Sequence, residues 1–517
     1  MSQEEGYEEW PGSATEVTTL AKGAGIFFAG TVLGSGLRYV FELILARRLG
    51  PSLFGVFFLG FSVFKLLEKV ATLELGSGML RFVSLYKGER DPERVKGTIL
   101  GGLKVALLGG AVTALALFLF SPSLSLGVFH EVQLIPVLRI FSLGVIFTAA
   151  TGILVHSLQA LGVVQYRVYV SMLFEPASSI VLALLFLSLG MGLLGASLAF
   201  LLPIVLSVFV AFWFLKRLFP PLARNEVVPS ADIKKLLSFS LPLFLAGLLV
   251  LFMRQVTPLM LGYFRPAREV GIYAAALRTS LLLALVLDSF NAIFAPMIAD
   301  LTNKRELEKL ERLFKVVTKW IFALILPLFL TLILFGEEVL GLWGKGYREG
   351  FTCLVILCAG QLINCVAGPV GYMISMSGRT MISLANTAGV LFLNVILNIY
   401  LIPRYGILGS AVAVSLALIL VNLIKLIEVR LILKIHPYRL DFLKPLAAAI
   451  FSSMVVFVVG FRLLPAEGAL LRLALGSFIL VSLYAALLAA LGIGQEEKVV
   501  LVKIKQRLLG NQNRGRE

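Results

Sequence analysis

The chain has 517 residues, 59% of them hydrophobic and only 15% charged, with a mean hydropathy of +0.94. That balance excludes an ordinary soluble domain, in which about a quarter of the residues are charged. The formal net charge of +16 does not point to a nucleic-acid binder either, because Lys and Arg are spread through loops between apolar runs and form no single basic face.

The first residues are acidic (Glu4, Glu5, Glu8 and Glu9), so a cleavable leader with a basic start and a short apolar core is not expected. Ser13 and Glu16 read as a capping box that opens the first helix. From there, apolar runs near the ~20 residues needed to cross a ~30 Å hydrocarbon core recur along the whole length. They predict an all-α polytopic membrane protein of about fourteen transmembrane helices, at 20–45, 53–80, 97–120, 135–158, 166–190, 192–215, 236–262, 270–299, 316–337, 349–376, 381–402, 406–430, 445–463 and 470–493. The basic loops 81–96, 216–235, 304–319, 430–444 and 498–516 alternate with less basic ones, and by the positive-inside rule both termini are cytoplasmic. Ahead of the ninth span, Leu307, Leu310, Leu313, Phe314 and Val317 make an apolar stripe opposite Lys and Arg. It suits an amphipathic helix on the inner interface or a solvated helical hairpin. Cys353, Cys358 and Cys365 share the tenth span at a spacing that matches no zinc or haem pattern, and read as core packing.

The chain is written twice. Arg38 through Leu49-Gly50-Pro51 to Gly55-Val56-Phe57 answers Arg254 through Phe264-Arg265-Pro266 to Gly271-Ile272-Tyr273, at an offset of 215 to 216 residues. Gly162 answers Gly378, and Leu194-Gly195-Ala196-Ser197 answers Leu408-Gly409-Ser410-Ala411. A six-span repeat enters the membrane twice in the same direction, which relates the copies by an axis along the membrane normal. The expected organisation is an N-lobe at 1–218, a cytoplasmic linker at 219–235, a C-lobe at 236–434, two further helices at 435–495 and a basic cytoplasmic tail at 496–517.

Two pseudo-symmetric six-helix lobes plus two C-terminal helices resemble the multidrug/oligosaccharidyl-lipid/polysaccharide exporter superfamily and its MATE-like fold. The phrase Ala46-Arg-Arg-Leu-Gly-Pro-Ser-Leu-Phe-Gly-Val-Phe57 is similar to the opening of the polysaccharide-transporter branch, the Wzx-type oligosaccharide flippases, and so is the Ile407-Leu-Gly-Ser-Ala411 region. The resemblance implies alternating access in the cell membrane. It implies a polyprenyl phosphate or diphosphate-linked oligosaccharide as cargo, membrane lipid around the chain, and glycan polymerases or transferases as partners. No nucleic acid and no cofactor are expected, beyond a coupling H⁺ or Na⁺.

Ionisable groups in hydrocarbon are functional candidates by default. Lys65 and Lys69 share a face of the second span near the midplane and inner half, Arg278 lies near the midplane, and Arg38 and Arg254 fall in the outer half, judged by the ~1.5 Å rise per residue of a helix. This ladder of five suits an anionic headgroup, since arginine grips phosphate through two parallel charge-assisted bonds and lysine acts as a point charge. Glu42, Glu68 and Glu74 stand close enough in sequence to neutralise parts of it. Asp288 and Glu175, the latter before a proline that frees a carbonyl, are candidates for ion coupling. Gln361, Asn364, Asn386, Asn394 and Asn398 offer polar cavity lining or bonds between helices.

Three other readings compete. A multidrug extruder on the same fold handles mostly cations and favours acidic over basic lining. A membrane glycosyltransferase needs surface metal ligands, yet the five aspartates (Asp91, Asp232, Asp288, Asp300 and Asp441) form no Asp-x-Asp pair and His130, His156 and His436 are scattered. His156, inside the fourth span, reads as a packed or hydrogen-bonded residue. A lipid II flippase shares the span count and a basic cavity, and stays open.

Overall fold

The computed structural model describes residues 14–224, 227–463 and 468–491. The acidic segment with Glu4 to Glu9, Ser13 of the expected capping box and the basic tail 496–517 lie outside the described residues.

The protein is all-α. Twelve helical segments among the described residues are long and apolar enough to cross a membrane. Two of these, at 25–88 and Thr380–Ile432, are far longer than a ~30 Å core admits. Each is broken at one glycine outside helical geometry, Gly50 (φ 75°) and Gly406 (φ 54°). Counted as two apiece, they bring the total to the fourteen expected from hydropathy.

The glycine pattern of the repeat has a backbone meaning. Gly162 (φ 95°) and Gly378 (φ 84°) are both left-handed, as are Gly190 (φ 77°) and Gly406. Each pair is separated by the repeat offset. Only glycine adopts this geometry without a Cβ penalty, so the duplicated glycines mark duplicated turns.

Packing divides the chain after Gly271. The first unit holds α1 (Ala14–Thr72), α2 (Leu75–Gly88), α3 (Pro92–Pro122), α4 (Leu134–Ala160), the short α5 (Val164–Arg167), α6 (Glu175–Ser188), α7 (Gly192–Leu218) and α8 (Ile233–Phe264). Pro92 opens α3 behind an Asp91 cap that accepts from the Arg94 N–H at 2.9 Å, and Asp232 caps α8 the same way at 3.0 Å. The central member is α4, which packs on α1, α2, α3 and α7. Phe57, Phe64, Phe141 and Phe200 stack edge to face around it, with Phe141 and Phe200 centroids 5.0 Å apart. Although α8 opens the second sequence repeat, it packs in this unit, against α1, α2 and α3. Gly78 of α2 makes room for Leu236 and Ser240 of α8, the small-residue route to close helix approach in lipid.

The second unit, 272–517, contains most of α9 (Ala267–Asn303), then α10 (Leu307–Leu334), α11 (Gly336–Trp343), α12 (Phe351–Ala367), α13 (Val370–Met376), α14 (Thr380–Ile432), α15 (Leu443–Leu463) and α16 (Ala469–Ala490). The stripe ahead of span nine belongs to α10 as one continuous helix. Its Leu310 and Phe314 are fully buried against Phe294, Ile298, Met373, Ile374 and Val429. The stripe is therefore helix-packing surface: α9 and α10 meet through a tight turn at 304–306 as a helical hairpin, with Lys304, Arg305, Glu308, Lys309 and Arg312 exposed, as the hairpin reading expects. The three cysteines are reduced and buried, as expected.

Candidate functional site

The first unit holds a partly open cavity of about 630 Å³, within the roughly 300–1,000 Å³ typical of small-molecule sites. Both halves of α1 line it, with α4, α5, the start of α6, α7 and Leu251 of α8. Phe41, Phe57, Phe61, Phe64 and Phe200 give it an aromatic wall. Facing that wall are four cations, Arg38, Lys65, Lys69 and Arg167, and four carboxylates, Glu42, Glu68, Glu74 and Glu175, with His156 among them. Charges in this number inside an apolar unit are expensive unless paired.

The lysines carry partners from their own helix. Lys65 Nζ stands 2.7 Å from Glu68 Oε2, one turn on, and 5.6 Å from the ring centres of both Phe61 and Phe64. Lys69 pairs with Glu74 across the break between α1 and α2. That break holds Leu73 (φ 46°) and Glu74 (φ 55°) in the left-handed region, where each non-glycine residue stores of order 1 kcal/mol of strain. The strained turn folds the Glu74 carboxylate back onto Lys69, and Ser77 Oγ donates to Glu74 Oε1 at 3.2 Å. Gly247 of α8 lies against Lys69 Nζ, close enough that a Cβ would sit 2.8 Å away.

Arg38 is held differently. Gly30, Gly34 and Arg38 recur every four residues on one face of α1. The two glycines let that face approach Val168 and Met172 of the π-helical stretch Val168–Phe174. In this stretch the Glu175 N–H bonds to the Val170 carbonyl, five residues back. The next position in that register is Pro176, which has no N–H. The Ser171 carbonyl is left without its backbone donor, and Arg38 Nη2 donates to it at 3.0 Å. π-helical segments recur at functional sites for this kind of reason. Glu175 follows directly, hydrogen-bonded to Ser207 and within electrostatic reach of Arg38 and Lys65.

Arg167 Nη1 donates to Gln159 Oε1 at 2.6 Å and its guanidinium lies 5.5 Å from the Phe27 ring centre. His156 Nδ1 is 2.7 Å from the Gly152 carbonyl oxygen. Since that oxygen only accepts, Nδ1 carries the proton.

The structure thus brings Arg38, Lys65, Lys69 and Glu175 to one cavity. Arg254 is exposed on α8 and does not line it. Arg278 is half-buried and Asp288 exposed, both on α9 within the second unit. The polar candidates of that unit form bonds between helices and within them. Gln361 Oε1 accepts from Asn364 at 3.3 Å, and Asn364 Oδ1 accepts from Asn422 at 2.9 Å. Asn386 Nδ2 donates to Glu428 Oε2 at 2.6 Å, and Asn398 donates to the Asn394 carbonyl at 2.9 Å.

Sequence reasoning did not single out Arg167, Lys425 or Glu428, and it read His156 as packed or hydrogen-bonded, which the bond to Gly152 bears out, without placing it in the cavity. Arg167 sits where a span begins and passes for an interfacial charge. The role of His156 as lining depends on which helix faces it. Lys425 and Glu428, one turn apart in an apolar run and electrostatically coupled, carried a signal in the sequence that the ladder reading passed over.

Comparison with known proteins follows the same lines. A family model described as "Polysaccharide biosynthesis protein" matches residues 20–302, and a second, "MatE", matches 242–400. The "Probable low-salt glycan biosynthesis flippase Agl15" of Haloferax volcanii is 22% identical over 405 residues, covering 77% of this chain and 81% of the relative. Among solved structures, "Lipid II flippase MurJ, inward closed conformation" has a TM-score of 0.71 at 17% identity, covering 89% of this chain and 98% of that one. An inward-facing multidrug resistance MATE family transporter of the MOP superfamily has a TM-score of 0.65 at 19% identity, covering 77% and 94%. These likenesses are to transporters and flippases, and at such identities the structural ones speak for the fold. With more than half its length matched by one family model, this multi-pass membrane protein belongs to the polysaccharide biosynthesis protein family.

Proposed function

We propose that this chain is a flippase that moves a polyprenyl phosphate or diphosphate-linked oligosaccharide from the inner to the outer leaflet of the cytoplasmic membrane by alternating access, with both termini on the cytoplasmic side. Family membership supports the pathway, and the name of the Haloferax relative supports the cargo class.

The observation that carries the chemistry is the unequal pairing in the cavity. Lys65 and Lys69 are neutralised by Glu68 and Glu74, but Arg38 and Arg167 direct hydrogen bonds to a neutral carbonyl and a neutral amide. Two guanidinium groups without carboxylates as their hydrogen-bond acceptors suit an anionic, hydroxyl-rich headgroup better than a cation, because a bond from a guanidinium to an anionic oxygen is stronger than one to the neutral acceptor it replaces. A polyprenyl tail stays in lipid while the headgroup exchanges water for these groups and for the lysines. Glu175 is the candidate for H⁺ or Na⁺ coupling that shares this cavity, with Asp288 the candidate in the second unit. Arg254 and Arg278 stand as headgroup contacts for a different stage of the cycle. Glycan polymerases or transferases are the expected partners on either side of the transfer step.

A lipid II flippase is the second reading, favoured by the fold likeness to MurJ and by a cavity chemistry that serves any prenyl-phosphate headgroup. Purified protein in proteoliposomes separates the readings. Transfer of a lipid-linked surface-glycan precursor with no transfer of lipid II supports the first, and the reverse result supports the second. Export of an organic cation with neither lipid moved would sink both.

A further inference from the structure

Within the flippase reading, on which this inference rests, the cavity sorts into two chemistries. Arg38, Lys65 and Lys69 are donors only and suit phosphate oxygens. His156 is different. Its Nδ1–H is committed to the Gly152 carbonyl, so in the neutral ring Nε2 is a lone-pair acceptor. The ring lines the cavity, and Gly76 lies against its Nδ1 and Cε1 edge, where a Cβ would come within 2.8 Å. This contact fixes the ring plane from the α2 side. A fully ionised phosphate has no proton to offer such an acceptor, whereas a sugar hydroxyl does. Beside it, the Arg167 guanidinium is held by Gln159 through one of its nitrogens and keeps further N–H donors for a hydroxyl oxygen. The aromatic wall of Phe61, Phe64 and Phe200 belongs to the same cavity, and offers rings for the apolar C–H face of a pyranose.

We propose that His156 and Arg167 form a hydroxyl-recognition subsite that takes the first sugar ring of the headgroup, next to the cations that take its phosphate. A site built to hydrogen-bond a hydroxyl rejects the analogue that lacks it far better than an apolar pocket rejects an added one, which makes these two residues the determinants that distinguish a glycosylated carrier from a bare one.

Binding of two probes to the purified full-length protein tests this: polyprenyl monophosphate, and the same lipid carrying a single hexose. The wild type should bind the hexose-bearing lipid more tightly. His156→Phe should weaken that lipid by about tenfold, the scale of one lost hydrogen bond, and leave the sugar-free lipid unchanged. His156→Gln, whose amide oxygen also accepts, should keep most of the discrimination, a rescue that a packing role would not give. The subsite is overturned if His156→Phe weakens both lipids alike or neither, if His156→Gln behaves as His156→Phe, or if the wild type binds both lipids equally. If the wild type binds neither lipid, the flippase reading itself fails and the subsite falls with it.

Discussion

Gly55 and Gly271, the two glycines that the sequence repeat places in register, lie backbone to backbone in the first unit. A Cβ on Gly55 would strike the Ala267 carbonyl and come within 2.9 Å of the Gly271 nitrogen, and one on Gly271 would strike the Pro51 carbonyl. The start of α9 is held there by Glu131, whose Oε1 accepts from the Ala267 N–H at 3.2 Å. Neither glycine has a positive φ, so what they supply is closeness, and this contact needs the absence of a side chain on both partners.

Either Gly55→Ala or Gly271→Ala should therefore destabilise the protein by about 1–3 kcal/mol, the cost of forcing extra volume into a packed contact. Thermal unfolding of the detergent-solubilised variants measures it. Gly36→Ala, where a Cβ meets nothing within 4 Å, is the control and should match the wild type or rise slightly in stability, since alanine is the better helix former.

The link between Arg38 and Pro176 gives a second prediction. Arg38→Leu leaves the Ser171 carbonyl without a donor and should cost about 1 kcal/mol or more in unfolding free energy. Adding Pro176→Ala restores a backbone N–H at the position the π register requires, and should recover that stability. Flipping should not recover, because the guanidinium is also the headgroup ligand. Recovery of both would reduce Arg38 to a structural donor.

The Lys65–Glu68 pair should behave as a coupled unit. Its side chains are 32% and 23% exposed, between the surface pairs worth roughly 0–1 kcal/mol and the buried pairs whose breaking costs roughly 3–5 kcal/mol. A double-mutant cycle with Lys65→Met and Glu68→Gln should give a coupling of about 1 kcal/mol in stability, with the double variant more stable than Glu68→Gln alone. Independent, additive effects would mean the pair does not persist in membranes.

In the second unit, Glu428→Ala removes the carboxylate that Asn386 donates to and that faces Lys425. It leaves a half-buried ammonium without its electrostatic partner, and should lower thermal stability more than Asn386→Ala does, since an unpaired charge costs more than a lost neutral donor. Unfolding midpoints of the two variants decide it; equal losses would show that Lys425 has another partner.

Much of the fold was readable because the membrane enforces simple rules. Apolar length gave the crossings, about fourteen, and Gly162 and Gly378 marked matching places in the two repeats, whose left-handed geometry appears only in the structure. Three of the five ladder cations could be read as cavity residues because charge in hydrocarbon must face something other than lipid. Nothing local distinguishes Arg254, which does not line this cavity, from Arg38, which does. Arg38 reaches the cavity on the face where Gly30 and Gly34 let α1 press on the π-helical stretch. The carboxylates that balance the cavity were visible one turn from the lysines, but pairing Lys69 with Glu74 depends on a left-handed break that hydropathy does not encode. Arg167 and His156 come from elements that meet α1 only through the tertiary fold. The α10 stripe showed the opposite limit: an amphipathic pattern reports that one face is covered, and does not say whether lipid or protein covers it.

If the charged cavity of the first unit carries an anionic headgroup across the membrane, transport depends on its cations. The most direct test is the rate of headgroup translocation of a polyprenyl diphosphate-linked oligosaccharide in proteoliposomes, compared between the wild type and an Arg38→Gln, Lys65→Met, Lys69→Met triple variant whose unfolding midpoint shows that it is folded. The wild type should transfer the lipid and the variant should lose at least a hundredfold in rate, on the scale of two or more charge-assisted bonds at about 1.5–3 kcal/mol each. Undiminished transfer by the folded variant would contradict that dependence.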